Sequence, residues 1–248
     1  MQNSLPHDSI KPITTSLKSK KQQVEEMFNN IAPKYDFMNH LLSIGIDVGW
    51  RKKAITLLKN KNSTNILDVA TGTGDMAIMA AKLLDVEKIT GIDLSENMLE
   101  LGRKKIEKEG FKSKIELQKG DGETINFPDN SFDAVMVAFG VRNFEHLENG
   151  LREMQRVLKP GGTLVVLEFS TPQFMFSRKL YNLYMGIVAP EIARWFKQNK
   201  AAYKYLNNSA NAFPNRKNFL SLLNTAGFIN THYKPLSLGI CCIYTGGK

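Results

Sequence analysis

Five short apolar runs, separated by amphipathic stretches, set the rhythm of this chain between Asn65 and Phe169. Runs of that length bounded by Gly, Asn or Asp read as strands. They predict strands over Asn65–Ala70, Lys88–Asp93, Lys114–Lys119, Phe132–Ala138 and Thr163–Phe169. The intervening stretches repeat their apolar residues at helical spacing, predicting helices over Asp75–Leu84, Ser95–Glu109 and about His146–Leu158. Ser95 is placed to cap the second of these, with Gly110 and Gly161 as stop signals. A last unit runs from a helix near Asn215–Thr225 into strands Phe228–Tyr233 and Leu238–Tyr244, which predict a hairpin. Strand–helix alternation of this kind specifies an α/β fold with a doubly wound sheet.

Two regions break the rhythm. Residues 1 to about 20 carry no periodicity, which predicts no fixed structure there. Val24, Met27, Phe28 and Ile31 then follow at helical spacing until Pro33, where the segment is expected to end. Asp47 is placed to cap a helix on which Trp50, Ala54, Leu57 and Leu58 share a face. The expected division is therefore an N-terminal helical segment over 1–62 and a larger domain over 63–248. Within that domain, Thr171–Phe213 is too long and too aromatic for a loop and predicts a helical insert. Phe174, Phe176, Leu180, Tyr181, Leu183, Tyr184, Met185, Ile187 and Val188 leave that insert apolar on several faces, with Trp195 and Phe196 beyond Pro190. Such a helix is buried or lines something apolar.

Composition narrows the class. The chain has 248 residues, 42% hydrophobic and 23% charged, enough for one sizeable α/β core with an appendage. No apolar run approaches the roughly 18 residues that a membrane-spanning helix needs. The first twenty residues hold no apolar stretch, and Cys241 and Cys242 are adjacent and make a poor structural staple. Together these features predict a reduced, cytoplasmic protein. A net charge of +9 gathers at Lys18, Lys20 and Lys21, at Arg51–Lys53 and again from Arg194 to Lys204. Such a surface attracts an anionic membrane or nucleic acid, or merely keeps the protein soluble; no separate nucleic-acid module is visible.

The candidate chemistry lies where the first strand ends. Asn65–Asp75 reads NILDVATGTGD, a strand entering a glycine turn and then a helix, the arrangement that offers backbone N–H groups to a nucleotide-like ligand. Asp93, about twenty residues on, stands where an acid accepts from ribose hydroxyls. Taken alone, this is as compatible with NAD as with S-adenosylmethionine. Three further features separate the two. Asp68 sits inside the first strand, where a buried carboxylate needs partners and could organise the N–H groups of the glycine loop. The third strand ends in Gly120-Asp121-Gly122-Glu123, whose acid and backbone suit an adenine ring, and Arg156–Gly162 precedes the fifth strand.

This ordered set resembles the class I S-adenosylmethionine-dependent methyltransferases over about residues 63–248. The resemblance implies a Rossmann-like, mostly parallel seven-stranded sheet. It also implies that Gly72, Thr73, Asp93, Asp121 and Gly122 hold the cofactor S-adenosylmethionine. A narrower resemblance rests on Tyr35-Asp-Phe-Met-Asn39 with Leu41, Leu42, Ser43 and Trp50, on Phe139–Asn143, and on Arg156–Ser170. These segments are similar to the two signatures of the menaquinone/ubiquinone biosynthesis C-methyltransferases. Asp47 stands where that family usually carries histidine, and Ala138 where some members carry a cofactor-contacting serine, so neither role is carried over.

The resemblance implies C-methylation of a polyprenylated quinol, demethylmenaquinol first, with a benzoquinol of ubiquinone synthesis as the alternative. The sulfonium already makes the methyl electrophilic, so alignment of acceptor carbon, methyl and sulfur supplies the rate, with neither metal nor covalent intermediate required. The ring carbon becomes nucleophilic once an ortho hydroxyl ionises, and Arg142 is the candidate for stabilising that phenolate, or else it pairs with Glu145. Tyr35, with Asp36, either closes over the site from the N-terminal segment, Tyr35 then touching substrate, or simply packs its helix. The aromatic insert either lines a tunnel for the prenyl tail, docks on the bilayer or caps the sheet. His40, His146 and His232 show no metal spacing. Rival readings are an RNA or small-phenol methyltransferase, an NAD-dependent oxidoreductase, and a non-catalytic scaffold of quinone synthesis. Asp121 and Arg156–Gly162 count against the oxidoreductase, and the retained acids count against the scaffold.

Overall fold

A computed structural model describes residues 5–43, 45–59, 63–171 and 200–248, with side chains at most of these positions. The chain begins with helices α1 (Lys20–Ser43) and α2 (Ile46–Thr56). Then follow β1 (Asn65–Val69), α3 (Asp75–Leu83), β2 (Lys88–Asp93), α4 (Glu96–Lys108), β3 (Ile115–Lys119) and β4 (Phe132–Ala138). After a 3₁₀ turn at Val141–Asn143 come α5 (Leu147–Val157) and β5 (Leu158–Phe169). The chain ends with α6 (Lys200–Ala212), α7 (Lys217–Thr225), β6 (Ile229–Leu236) and β7 (Cys241–Gly247).

The seven strands form one sheet in the order β3-β2-β1-β4-β5-β7-β6. The pairs among β1 to β5 are parallel, and β7 is antiparallel to both β5 and β6, so the predicted doubly wound sheet and terminal hairpin are observed. Central strands buried on both faces need continuous apolar runs, which is why Ile66, Leu67 and Val69 are all fully enclosed. Alternate residues face opposite layers. Ile66 points with Met136 and Val165 toward α2 and α3, while Leu67 and Val69 point with Val135 and Val137 toward α5 and α7. A third cluster joins Val24, Met27 and Ile31 of α1 to Met98 of α4 and Tyr205 of α6.

Strand order reverses between β1 and β4, and the crevice outside their carboxyl ends is where doubly wound sheets bind ligands. The chain needs close backbone approach there. A Cβ on Gly140 would stand 2.5 Å from that of Ala70, and one on Gly122 would stand 2.6 Å from the Phe144 ring.

Several sequence expectations fail for physical reasons. Pro33 does not end α1, which runs through it for 24 residues. A proline removes the hydrogen bond to the carbonyl four residues back, which is Asn29. Here that carbonyl accepts the Asn97 side-chain amide at 3.1 Å, so the lost bond is replaced from α4. The Asn29 side chain accepts as well, from Ser95 Oγ at 2.7 Å and from the Asn97 N–H at 3.2 Å. Asp47 does not cap α2; Gly45, left-handed at φ 73°, holds that position, and Leu57 is exposed, off the buried face. Ser95 does cap α4, accepting from the Met98 N–H, and Gly110 does follow the helix end with φ 78°. Gly161 stops no helix: α5 passes straight into β5, and Gly161 lies in an irregularity of the β4–β5 ladder. The second hairpin strand begins at Cys241, because Ser237–Gly239 form a turn.

Residues 1–4 and, within the insert, 172–199 lie outside the described residues, with the apolar stripe from Phe174 to Phe196 among them. Residues 5–19 are fixed rather than structureless. His7 is fully buried against Phe213, and its carbonyl accepts from the buried Lys20 Nζ at 3.0 Å. Among the described residues no helix is long and apolar enough to cross a membrane.

Asn29→Ala should detach the middle of α1 from α4 at a cost of about 1–2 kcal/mol. The measurement is amide exchange, which is expected to accelerate in α1 while β1 and β4 stay protected.

Candidate functional site

The glycine turn takes its shape from backbone chemistry. Thr71 donates its N–H to Ile92 O at 3.0 Å, and Gly74 donates to Thr71 O at 3.0 Å, closing a tight loop before α3. Gly72 and Gly74 have φ of 57° and 78°, which residues with a Cβ adopt only under strain. Asp93 anchors the loop from the neighbouring strand. Its Oδ2 accepts the Gly72 N–H and its Oδ1 the Ser95 N–H, both at 2.8 Å. Burial raises the Asp93 pKa, and the N–H groups of Ser95, Gly72 and Leu94 oppose that rise. An ionised carboxylate has about four acceptor positions, so lone pairs are left for a ligand.

These elements open a cleft at the β1/β4 switch point. Its lining includes Gly72 and Asp93 from the β1 and β2 ends, Asp121 and Gly122 past β3, Ala138, Phe139 and Asn143 past β4, and Tyr35. Five of the sequence-predicted residues thus meet in one cavity: Gly72, Asp93, Asp121, Gly122 and Tyr35. Thr73 is turned away, its hydroxyl accepting from Lys105 Nζ at 3.1 Å on the α4 side, so only its backbone faces the loop. The side chain of Asp36 is outside the described residues.

Helix α1 forms the roof. Lys21, Val24, Glu25, Phe28 and Tyr35 all face the cavity. The start of α1 is clamped by Glu145, which accepts the N–H groups of Lys20 at 3.1 Å and Lys21 at 3.3 Å. Glu123 in turn accepts the N–H groups of Glu145 and His146. Lys21 Nζ reaches down to Asp121 Oδ2 at 2.5 Å and stands 3.9 Å from Glu123. Asp121 therefore already holds a cation of the chain.

The β4–β5 side of the cleft is aromatic and cationic. Phe139, left-handed at φ 59°, lines the cavity and stacks 4.6 Å from Phe169, with Trp50 at 6.4 Å from both. Arg51 lies over Phe139 and Arg142 over Phe169, each 5.3 Å from the ring centre. Arg142 does not pair with Glu145. Its Nη1 donates to the fully buried Glu168 carboxylate at 2.7 Å and to Phe139 O, and its Nε has no hydrogen-bond partner among the described residues. Burial works against the Arg142 charge, yet Glu168 outweighs it and raises the pKa. Glu168 also accepts the N–H groups of Arg142 and Phe169.

Asp68 differs from its expected role. It organises the loop through the Thr71 hydroxyl, 2.6 Å from Oδ2, while Oδ1 is buried and has no hydrogen-bond partner among the described residues. Burial pushes its pKa up to about 7, against the pull of Thr71 and Arg51.

Sequence reasoning assigned no role to Glu168 or Tyr205, and it placed Lys20 and Lys21 in a cationic surface, whereas Lys20 is buried and Lys21 pairs with Asp121 at the cleft. Tyr205 of α6 donates to Asn143 Oδ1 at 3.2 Å, and burial raises its phenol pKa, so it stays a donor. Glu168 left a signal, because a lone acid in the apolar run Leu164–Phe169 must find a partner inside. Lys21 and Tyr205 left none, since their partners are 100 and 62 residues distant in sequence.

The family model described as the ubiE/COQ5 methyltransferase family matches residues 15–248. A demethylmenaquinone methyltransferase of Bacteroides fragilis is 45% identical over 243 residues, covering 98% of this chain and 99% of that protein. The ubiquinone/menaquinone biosynthesis C-methyltransferase UbiE of Geotalea daltonii is 46% identical over 233 residues, covering 94% of this chain and 99% of its own length. Among solved structures, a SAM-dependent methyltransferase from Aquifex aeolicus superposes with a TM-score of 0.57 at 20% identity. That likeness covers 79% of this chain and 88% of the Aquifex chain, and it speaks for the fold.

Asp68 takes up a proton on folding between roughly pH 4 and pH 7, so its contribution to stability is full below that window and fades as pH rises through it. Asp68→Asn should remove that component, which is on the order of 4 kcal/mol. Urea midpoints at about pH 5 and about pH 8 should therefore differ less in the variant than in the parent.

Proposed function

The chain belongs to the ubiE/COQ5 methyltransferase family, and on that premise we propose that its cleft methylates a ring carbon of a polyprenylated quinol, demethylmenaquinol foremost. The methyl donor is S-adenosylmethionine. The cavity fits it: a turn of backbone N–H groups, acids at the ends of β2 and β3, and the backbone of Gly122 in the lining, held close against Phe144 and Val69. In this reading Gly72 and the Thr73 backbone face the amino-acid portion, Asp93 the ribose, and Asp121 with the Gly122 N–H the adenine. The bound donor supplies a methyl group made electrophilic by its sulfonium.

The chain's own residues do the rest. Phe139 and Tyr35 would sandwich the acceptor ring, and α1 would keep water away from it. Arg142, with an uncommitted Nε, would hold a ring oxygen as its phenolate and so raise electron density on the ortho carbon. Glu168 fixes the guanidinium plane. The hydroxyl proton leaves first. After methyl transfer the ring carbon gives up its own hydrogen as a proton, which restores the aromatic ring and one hydroxyl with a net release of one proton. The reduced quinol and not the quinone is therefore the acceptor. The observation that carries the reading is one cleft lined by Asp93 and Asp121 at its β2–β3 end and by Phe139 at its β4 end, with Arg142 buried behind it over the Phe169 ring. The relative named for both ubiquinone and menaquinone makes a benzoquinol the second substrate to test.

Purified protein with labelled donor should transfer label to reduced demethylated naphthoquinol, with little to the oxidised quinone and none to RNA. Absence of label in either quinol would overturn the proposal. Asp93→Ala should weaken donor binding by at least tenfold in calorimetry, because the loop loses its anchor as well as an acceptor. Lys21→Ala should tighten it a few-fold, since Asp121 is released and a positive charge beside a cationic ligand is removed.

A further inference from the structure

Most exposed large hydrophobic side chains of a folded protein are scattered and mean nothing. Three here are gathered at one corner, and that corner adjoins the cleft. Ile46 and Val48, 50% and 44% exposed, project from opposite edges of the exposed side of the first turn of α2, at the end of the helix. Leu238, 61% exposed, projects from the β6–β7 turn in the left-handed region at φ 58°. The two elements are joined by Trp50 Nε1, which donates to Ser237 Oγ at 2.8 Å. Because Phe169 pairs with Cys241, this turn lies at the carboxyl end of β5, beside the aromatic half of the cleft. Among the described residues outside the N-terminal arm, the other exposed large hydrophobics are Leu57, after the far end of α2, and Ile229, which pairs with Gly247 at the opposite edge.

The charges complete the pattern. Lys52 is one helical turn below Val48 on the same exposed face, about 6 Å along the axis, and Lys53 follows. Lys234 is exposed on β6 below the turn. Among the described residues none of these three lysines has a carboxylate partner, and the only acid of α2, Asp47, is buried. Apolar tips at a rim with unpaired lysines a few ångströms behind match the layering of an anionic bilayer surface, hydrocarbon first and phosphate next.

We propose that Ile46, Val48 and Leu238, flanked by Lys52, Lys53 and Lys234, dock this protein on an anionic lipid surface with the aromatic side of the cleft toward the bilayer. The inference rests on the quinol reading for its purpose, since a prenyl tail stays in lipid and only its ring must reach Phe139. It stands on its own geometry for its location.

Sedimentation with vesicles of phosphatidylglycerol and phosphatidylcholine tests it. The parent protein should bind vesicles rich in phosphatidylglycerol and not pure phosphatidylcholine. Ile46→Ser/Val48→Ser/Leu238→Ser should weaken binding at least tenfold, and Lys52→Ala/Lys53→Ala by about thirty-fold. Leu238→Ser alone, on an exposed turn, should show a smaller loss of the same sign and guards against misfolding of the triple variant. All variants should methylate a tail-less quinol at the parent rate and lose activity on long-chain quinol held in vesicles. Parent protein that ignores anionic vesicles, or a triple variant that binds them equally well, overturns the proposal. So does a triple variant whose only change is a shift from dimer to monomer in analytical ultracentrifugation. Failure of the parent to methylate even the tail-less quinol would count against the quinol reading alone, while sedimentation would still decide the docking surface.

Discussion

One carboxylate joins the parts of this protein that must move together. Asp93 takes the Gly72 N–H on one oxygen and the Ser95 N–H on the other, so the glycine turn and the start of α4 are held to the end of β2. Ser95 then caps α4 through its own Oγ and donates that hydroxyl to Asn29 of α1. Roof, ligand loop and sheet edge thus share one short chain of hydrogen bonds. A bond to a charged acceptor is worth about 1.5–3 kcal/mol, roughly twice a neutral one, which is why a buried acid serves here despite its desolvation.

The same logic governs the other half of the cleft. Two guanidinium groups stand beside a site that must also admit a sulfonium cation, which would be repelled if those charges were bare. Glu168 neutralises Arg142, and Asp47 lies 3.6 Å from Arg51, while Asp68 adds a carboxyl poised near neutrality. Arg142 Nε is buried without a hydrogen-bond partner among the described residues, and each guanidinium covers one aromatic ring face. In the proposed reaction a phenolate forming beside Arg142 would meet a donor group already in place. Orientation of that kind costs no reorganisation at the moment of transfer.

How much of this could be read from residues alone follows the sequence distance of each interaction. The glycine turn, Asp93 and the Asp121–Gly122 corner are set by strand ends and local turns, and the alternation of strands and helices exposes those directly. The Ser95 cap was equally legible, because its partner Met98 is three residues away. Pro33 misled because its rescue comes from Asn97 on another helix, which no local rule sees. Arg142 was found, but its partner was not, because Glu145 is near in sequence while Glu168 is near in space. Gly161 carries both a helix-stop signal and a bulge signal, and only the pairing of β4 with β5 decides between them.

Sheet order turns these local facts into a gradient of chemistry. From β3 through β2 the rim offers Asp121 and Asp93; at β1 it offers backbone N–H groups; at β4 and β5 it offers Phe139, Phe169 and their guanidinium partners; beyond them the β6–β7 turn offers bare Leu238. A water-soluble donor and a hydrocarbon-tailed acceptor therefore have different natural approaches to the switch point between β1 and β4. The donor's polar groups match the β2–β3 end, whereas each methylene of a prenyl tail that left lipid for water would cost about 0.8 kcal/mol. A tail of even a few prenyl units cannot meet that cost by binding one ring. Under the proposed docking the sheet would meet the membrane at its apolar end, and the antiparallel hairpin β6–β7, which supplies no residue to the cleft lining, would carry Leu238 there.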